Sequence, residues 1–172
     1  MLLDAASPPD IALPGRTRLC TRLLNGHFGA QRSALQRLSP SPWMLQLDTD
    51  ESLGAATLAA LPRVVRAAER DGVRAIGLAR RNLVDGVLSD RFPDPQYRLC
   101  RRTVAYEGQV HERPALLSRA RESRLVPQLV IEHQLTAARV RGRTARYGAM
   151  SAGATDTARP ADERALLTPF RP

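Results

Sequence analysis

A chain of 172 residues, 43% hydrophobic and 25% charged, is long enough to bury one domain's core and too apolar to be mostly disordered. Its 26 basic residues outnumber 17 acidic ones for a net charge of +9, yet every basic residue is Arg, so part of the basicity reads as compositional bias and not as selection for coating phosphate. The longest apolar stretches, such as 53–61, fall far short of the ~20 residues of a membrane helix; the start, with Asp4 and Ser7-Pro-Pro-Asp10, lacks a secretion signal; and Cys20 and Cys100 are too few for a zinc site or disulfide scaffold, which together predict a reducing, cytoplasmic setting.

Residues 1–25 read as an irregular lead-in, of which the first fifteen residues are rich in Pro, Ala and Asp and end in Pro14-Gly15. Past the Asn25-Gly26 turn signal, Phe28, Ala34, Leu35 and Leu38 fall near helical spacing, and Ser39-Pro-Ser-Pro42 stops that helix. Trp43 to Leu47 has the profile of a buried strand feeding the acidic stretch Asp48-Thr49-Asp50-Glu51. A helix follows over 53–70, interrupted or restarted at Pro62, and Asp71-Gly72 closes it. Val73 to Arg80 reads as a strand, 82–94 as a turn-rich loop, Gln96 to Arg102 as a strand and Leu125 to His133 as another. A helix over 135–149 would carry Arg139, Arg143 and Arg146 along one side, and 151–172 reads as a flexible tail. Alternating strands and helices predict an α/β layer fold, in which ligands bind at the carboxyl ends of strands; that rule points to Asp48-Thr49-Asp50.

Charge is uneven: residues 1–97 carry +2, residues 98–146 carry +7 and the remainder is neutral. Such an excess is either a solvated basic face or a surface for phosphates or anionic lipid. With 4% aromatics and no recognised RNA module, nucleic acid is the weaker partner.

Asp48 and Asp50, two residues apart at a strand end, could approach one hard cation, and Mg²⁺ so held would bridge phosphates and neutralise a departing diphosphate. The competing structural reading is an acidic turn capping the next helix, with Glu51 at its positively polarised end. The Phe28-Gly-Ala-Gln-Arg-Ser helix is followed by Trp43-Met-Leu-Gln-Leu-Asp-Thr-Asp-Glu51, Tyr97-Arg-Leu-Cys-Arg-Arg102, Tyr106-Glu-Gly-Gln-Val-His-Glu112 and Ile131-Glu-His133. That order, from residue 26 to about 147, resembles glycosyltransferase family 2, in the branch that builds lipopolysaccharide core and related cell-surface glycans. There a "W-x-L-x-L-D-x-D-E" strand and a "Q-x-R-L-x-R" strand precede "G-x-V-H-E".

The resemblance implies a GT-A type mixed sheet flanked by helices, with 26–150 as a partial catalytic domain. It implies Asp48 and Asp50 as the DXD motif holding Mg²⁺ or Mn²⁺ and the diphosphate of a nucleoside diphosphate sugar, with Glu112 as general base. The competing role for His111 and Glu112 is a surface pair, with Glu112 merely bound to an Arg. Gln31, Arg32, Arg98, Arg101 and His111 are candidate substrate contacts. Arg98 and Arg101 lie on opposite strand faces, so at most one reaches the site. His133 is a candidate third metal contact or a hydrogen-bonded structural residue, and Cys100 reads as packing. The acceptor would be a glycan or lipid-linked sugar at the inner face of the cell membrane, with the basic segment touching phosphorylated acceptors or anionic lipid. No counterpart of the family's opening strand and acidic "D-D-x-S" stretch precedes Phe28, so the expected domain lacks its first strand–helix unit and has an incomplete donor pocket. The alternative is a non-catalytic remnant presenting a basic surface to lipid or RNA.

Overall fold

The structure, a computed structural model, describes residues 2–7, 12, 15–109, 112–116, 119, 121–142 and 159–171. In chain order its elements are β1 (Leu2–Leu3), β2 (Cys20–Thr21), α1 (Phe28–Arg37), β3 (Trp43–Leu45), β4 (Glu51–Leu53), α2 (Ala55–Arg70), β5 (Ala75–Val84), β6 (Val87–Leu88), β7 (Asp94–Arg101), β8 (Tyr106–Glu107), β9 (Arg113–Pro114), β10 (Ser123–Leu135) and α3 (Arg159–Leu167). Residues 137–142 are also helical. The expected helix over 135–149 is thus described only in part; Arg143 and Arg146 lie outside the described residues.

The main sheet is mixed and curled, in the order β3-β7-β5-β10-β4, with β6 hairpinned onto β5. The central β5 runs parallel to β10 and antiparallel to β7, while the outer strands β3 and β4 are antiparallel to their neighbours. Helix α2 covers one face through Thr57, Ala60, Leu61, Val64, Val65 and Ala68, the i, i+3, i+4 rhythm of an amphipathic helix. These pack on Ile76, Leu78, Leu99, Leu129 and Ile131. Pro62 stays inside α2 and faces solvent, so the helix is continuous where a restart was an option. On the other face Ala75 and Cys100 pack with Val104, Tyr106 and Leu116.

Helix α1 forms where the spacing of Phe28, Ala34, Leu35 and Leu38 predicts a helix, but the face it buries is polar. Its buried residues are Gly29 and Gln36, and Leu38 is exposed. Gln36 donates to the carbonyls of Cys100 and Arg101, and Ser33 Oγ accepts from Tyr106 N at 2.8 Å. A Cβ on Gly29 would lie 2.7 Å from the carbonyl oxygen of Gly108, so only glycine lets α1 approach the 107–109 backbone and donate its N–H to that carbonyl at 3.1 Å. The positions 29, 32, 33 and 36 share one helical stripe, so this docking sets where Arg32 points.

Three expectations are corrected. The stretch 82–94 is not a loop throughout: β5 runs on to Val84 and turns at Asp85-Gly86, both with positive φ, into β6. That is the two-residue hairpin turn whose twist matches paired strands. The lead-in holds the parallel pair β1–β2. From the expected flexible tail, α3 packs Leu166 on Val84, Leu135 and Val140, Phe170 meets Phe92 edge to face at 5.9 Å, and Ser89 bridges Pro169. Apolar side chains at 166, 167 and 170 give this segment surface to bury, which its small, polar beginning concealed.

Candidate active site

The linker from β3 to β4 carries Asp48, Asp50 and Glu51 to where α1, β5, β7, the residue preceding β9 and β10 converge. Arg32 of α1 grips Asp48 through NH2, at 2.7 and 2.9 Å to its two oxygens, while its Nε donates to Glu112 Oε1. Arg98 of β7 reaches Asp48 Oδ2 at 2.7 Å, Glu51 Oε1 at 2.9 Å and Glu112 Oε1 at 3.5 Å. Glu51 in turn accepts from Arg80 NH1 at 3.0 Å and from the backbone N–H of Asp48 at 3.1 Å. Arg80 also holds Asp94 through Nε and NH2, at 3.0 and 2.6 Å. Cations and carboxylates thus alternate from Glu112 through Arg32, Asp48, Arg98, Glu51 and Arg80 to Asp94. Like charges are kept apart, and each buried ion has a partner.

Asp50 turns away from Asp48 and toward His133, whose Nε2 lies 3.3 Å from Asp50 Oδ2; Arg139 NH2 reaches the same oxygen at 3.0 Å. His133 Nδ1 lies 2.7 Å from Asn82 Oδ1, and Asn82 Nδ2 donates to Asp94 Oδ2 at 3.1 Å. The two aspartates therefore serve different partners, Asp48 the guanidinium groups of Arg32 and Arg98, and Asp50 the His133 imidazole and the Arg139 guanidinium. Among the described residues no group of three or more His, Cys, Asp or Glu side chains is arranged to hold a metal ion. The donor set of Asp50 and His133 fits a divalent cation that takes its remaining ligands from substrate and water, since its nitrogen and carboxylate oxygen already face each other. Asp48 could join such a site only by giving up contacts with Arg32 and Arg98.

Electrostatics follow from the pairing. Burial alone would raise every carboxylate here, but Arg98 and then Arg80 overcome it at Glu51, which is held down at about 2. At Asp50 burial is likewise opposed, by His133 and then Arg139, to about 2. Arg32 and then Arg98 hold Glu112 below its ordinary value, and Arg80 does the same for Asp94. Burial pushes the Cys100 thiol up to about 11, which suits packing and not nucleophilic work.

A folded carboxylate pKa below the unfolded value contributes stability that is complete above the unfolded value near 4 and is lost as pH falls through the folded one. The urea midpoint is therefore expected to drop steeply between about pH 4 and pH 2 as Glu51, Glu112 and Asp94 protonate. Far-UV circular dichroism across that range checks this, and a flat midpoint would contradict it.

Of the other sequence candidates, Gln31 lies outside the cluster, exchanging hydrogen bonds with the side chain and carbonyl of Arg22. Arg101 points away, over the Trp43 ring at 5.6 Å and toward Glu69 at 3.5 Å. His111 lies outside the described residues. Glu51, Arg80, Asn82 and Asp94 are members that sequence reasoning missed. Arg80, Arg81 and Asn82 inside the apolar strand Ala75–Val84 were the available signal, because a strand that buries such residues needs partners for them. The charge excess of 98–146 is also reinterpreted: Arg98, Arg101, Arg124 and Arg139 pair with Asp48, Glu69, Asp71 and Asp50, all from residues 1–97. Arg102, Arg113, Arg121 and Arg141 are exposed.

No described helix is long and apolar enough to cross a membrane. In comparisons with known proteins, the chain matches no family model and no curated protein sequence.

Proposed function

We propose that the chain is a metal-dependent inverting glycosyltransferase domain of GT-A type, moving a sugar, of the hexosyl class, from a nucleoside diphosphate donor to a glycan or lipid-linked acceptor. The observation that carries this reading is the convergence of the Asp48–Glu51 linker with His133 and Glu112, which are distant in sequence. Asp50 and His133 would hold Mg²⁺ or Mn²⁺, which when bound neutralises charge on the leaving diphosphate. Arg139, 3.0 Å from Asp50, and Arg32 and Arg98, both on Asp48, would supply cations for phosphate oxygens, and the buried Nε of Arg98 has no hydrogen-bond partner among the described residues. Glu112 is ionised across the neutral range and takes the proton of the acceptor hydroxyl. The hydroxyl oxygen bonds to the anomeric carbon from the side opposite the departing diphosphate, which leaves with the electron pair of the broken C–O bond, so the configuration inverts.

The second reading, a non-catalytic domain presenting basic surface to anionic lipid or RNA, draws on the fact that Asp48 and Glu112 are already neutralised by Arg32 and Arg98. Calorimetry with uridine and guanosine diphosphates separates the two. Binding is expected only with Mn²⁺ or Mg²⁺ present, and Asp50→Ala is expected to weaken it by at least tenfold. Metal-independent binding, or none, would favour the second reading.

A further inference from the structure

Behind His133 lie buried polar residues that the proposed roles do not use. Asn82 is fully buried, His133 nearly so, and the contacts between them are directional. An ionised carboxylate can only accept hydrogen bonds, so Asp94 Oδ2 dictates which end of the Asn82 amide faces it: the Nδ2 group, at 3.1 Å. Asp94 is kept ionised by Arg80 at 2.6 and 3.0 Å, with Arg91 at 3.4 Å from its other oxygen. Its carboxyl accordingly lies below the ordinary value. With Nδ2 committed to Asp94, the carbonyl end of Asn82 faces His133, and a carbonyl oxygen only accepts. At 2.7 Å the imidazole Nδ1 must then carry a proton.

We infer that Asp94 and Asn82 form a positioning relay that fixes His133 with its proton on Nδ1, so that Nε2, the nitrogen 3.3 Å from Asp50, is the one offered to a divalent cation. The inference rests on the reading of Asp50 and His133 as a metal pair. Neither Asn82 nor Asp94 touches substrate or metal in this scheme; both act through His133. With Nδ1 turned to Asn82, Nε2 is the ring nitrogen that faces Asp50, at 3.3 Å, and Arg139 NH2, 3.0 Å from the same carboxylate oxygen, reaches it from a half-exposed helical stretch and not from the core. The sheet itself aligns the parts. Asn82 and His133 are register partners on the parallel strands β5 and β10, and Asp94 on β7 is the register partner of Arg80 on β5, so three adjacent strands carry the relay.

The test uses the full chain labelled with ¹⁵N, which contains three histidines; His133→Gln assigns the His133 signals. In metal-free wild type, long-range proton–nitrogen correlation is expected to show Nδ1 protonated. Addition of Cd²⁺, a diamagnetic stand-in for Mn²⁺, should shift Nε2 and leave Nδ1 protonated. Asn82→Leu, similar in volume but without the acceptor, is expected to lose the preference for Nδ1–H and to bind Mn²⁺ about 10- to 100-fold more weakly, the usual cost of removing an outer partner of a ligating histidine. An unprotonated Nδ1 in wild type, or wild-type Mn²⁺ affinity in folded Asn82→Leu, overturns the relay. If Asn82→Leu does not fold, the wild-type spectrum still decides. A protonated Nδ1 with neither a Cd²⁺ shift nor Mn²⁺ binding overturns the metal pair instead, and with it the ligand role of Nε2.

Discussion

Glu112→Gln is expected to lower kcat for sugar transfer by about 10²- to 10⁴-fold, the range attributable to one positioned proton acceptor. Gln keeps the shape of the side chain and one carbonyl acceptor for Arg32 and Arg98, so donor binding should change little while turnover collapses. The separation of kcat from donor affinity is the discriminating readout. Glu112 is ion-paired and sits below its ordinary value, so it is a weak base as it stands. Under the proposed function, donor phosphate drawing Arg32 and Arg98 away would raise its proton affinity and tie base strength to donor occupancy. Turnover in Glu112→Gln within about threefold of wild type would remove Glu112 from the mechanism.

The largest effect on folding is expected at Arg98. Its guanidinium is shared by Asp48, Glu51 and Glu112, and it is the only side chain among the described residues that touches all three. Arg98→Met fills similar volume but leaves buried carboxylates short of positive charge, a change that costs about 3–5 kcal/mol when one partner of a buried pair is removed. Against a total of about 5–15 kcal/mol, that is enough to unfold a marginal domain. Three residues along the same strand, Arg101 is more than a third exposed, with its ion pair to Glu69 in solvent, and Arg101→Met should cost no more than about 1 kcal/mol. Urea denaturation of both variants measures the contrast. Equal midpoints would show that the buried network does not hold the fold.

How far the sequence could be read depended on whether a residue's partners lay near it in the chain. The helix at 28–37, the strand at 43–45 and the part of β7 from Gln96 on were visible from periodicity and punctuation, and the Asp48-Thr49-Asp50 stretch stood out because it ends an apolar run. Arg32, Arg98, Glu112 and His133 entered as candidates only through the order of motifs, since no local pattern says that an Arg on a helix will meet a Glu eighty positions later. Asn82 and Asp94 were hidden for a different reason. Asn, Asp and Gly are turn formers, and here Asp85-Gly86 is a turn while Asn82 and Asp94 are strand residues bonded to each other across it. Glu51 was read as a helix-end charge, whereas it lies in β4 and is buried between two Arg side chains. Helix α1 misled because its apolar residues define one stripe and Gly29, Arg32, Ser33 and Gln36 define another, and the second is the one that docks.

The sheet's curl has a mechanical consequence. Gln46 is still bonded to β7, at Arg98, while Glu51 already pairs with His133 on β10, at the opposite edge of the sheet. In a flat sheet those strand positions would be separated by about 19 Å laterally, at ~4.8 Å per strand spacing, and further along the strands. Five residues reach at most about 18 Å when fully extended, and this link also turns back on itself where Glu51 N–H meets the Asp48 carbonyl. The link therefore acts as a drawstring: it can close only on a bent sheet, and it stays under geometric constraint. Any flexing that opens the curl must pull on Asp48 and Asp50 directly, so the spacing of the two carboxylates reports the curvature of the whole sheet, and a residue inserted between Leu47 and Glu51 would slacken both together.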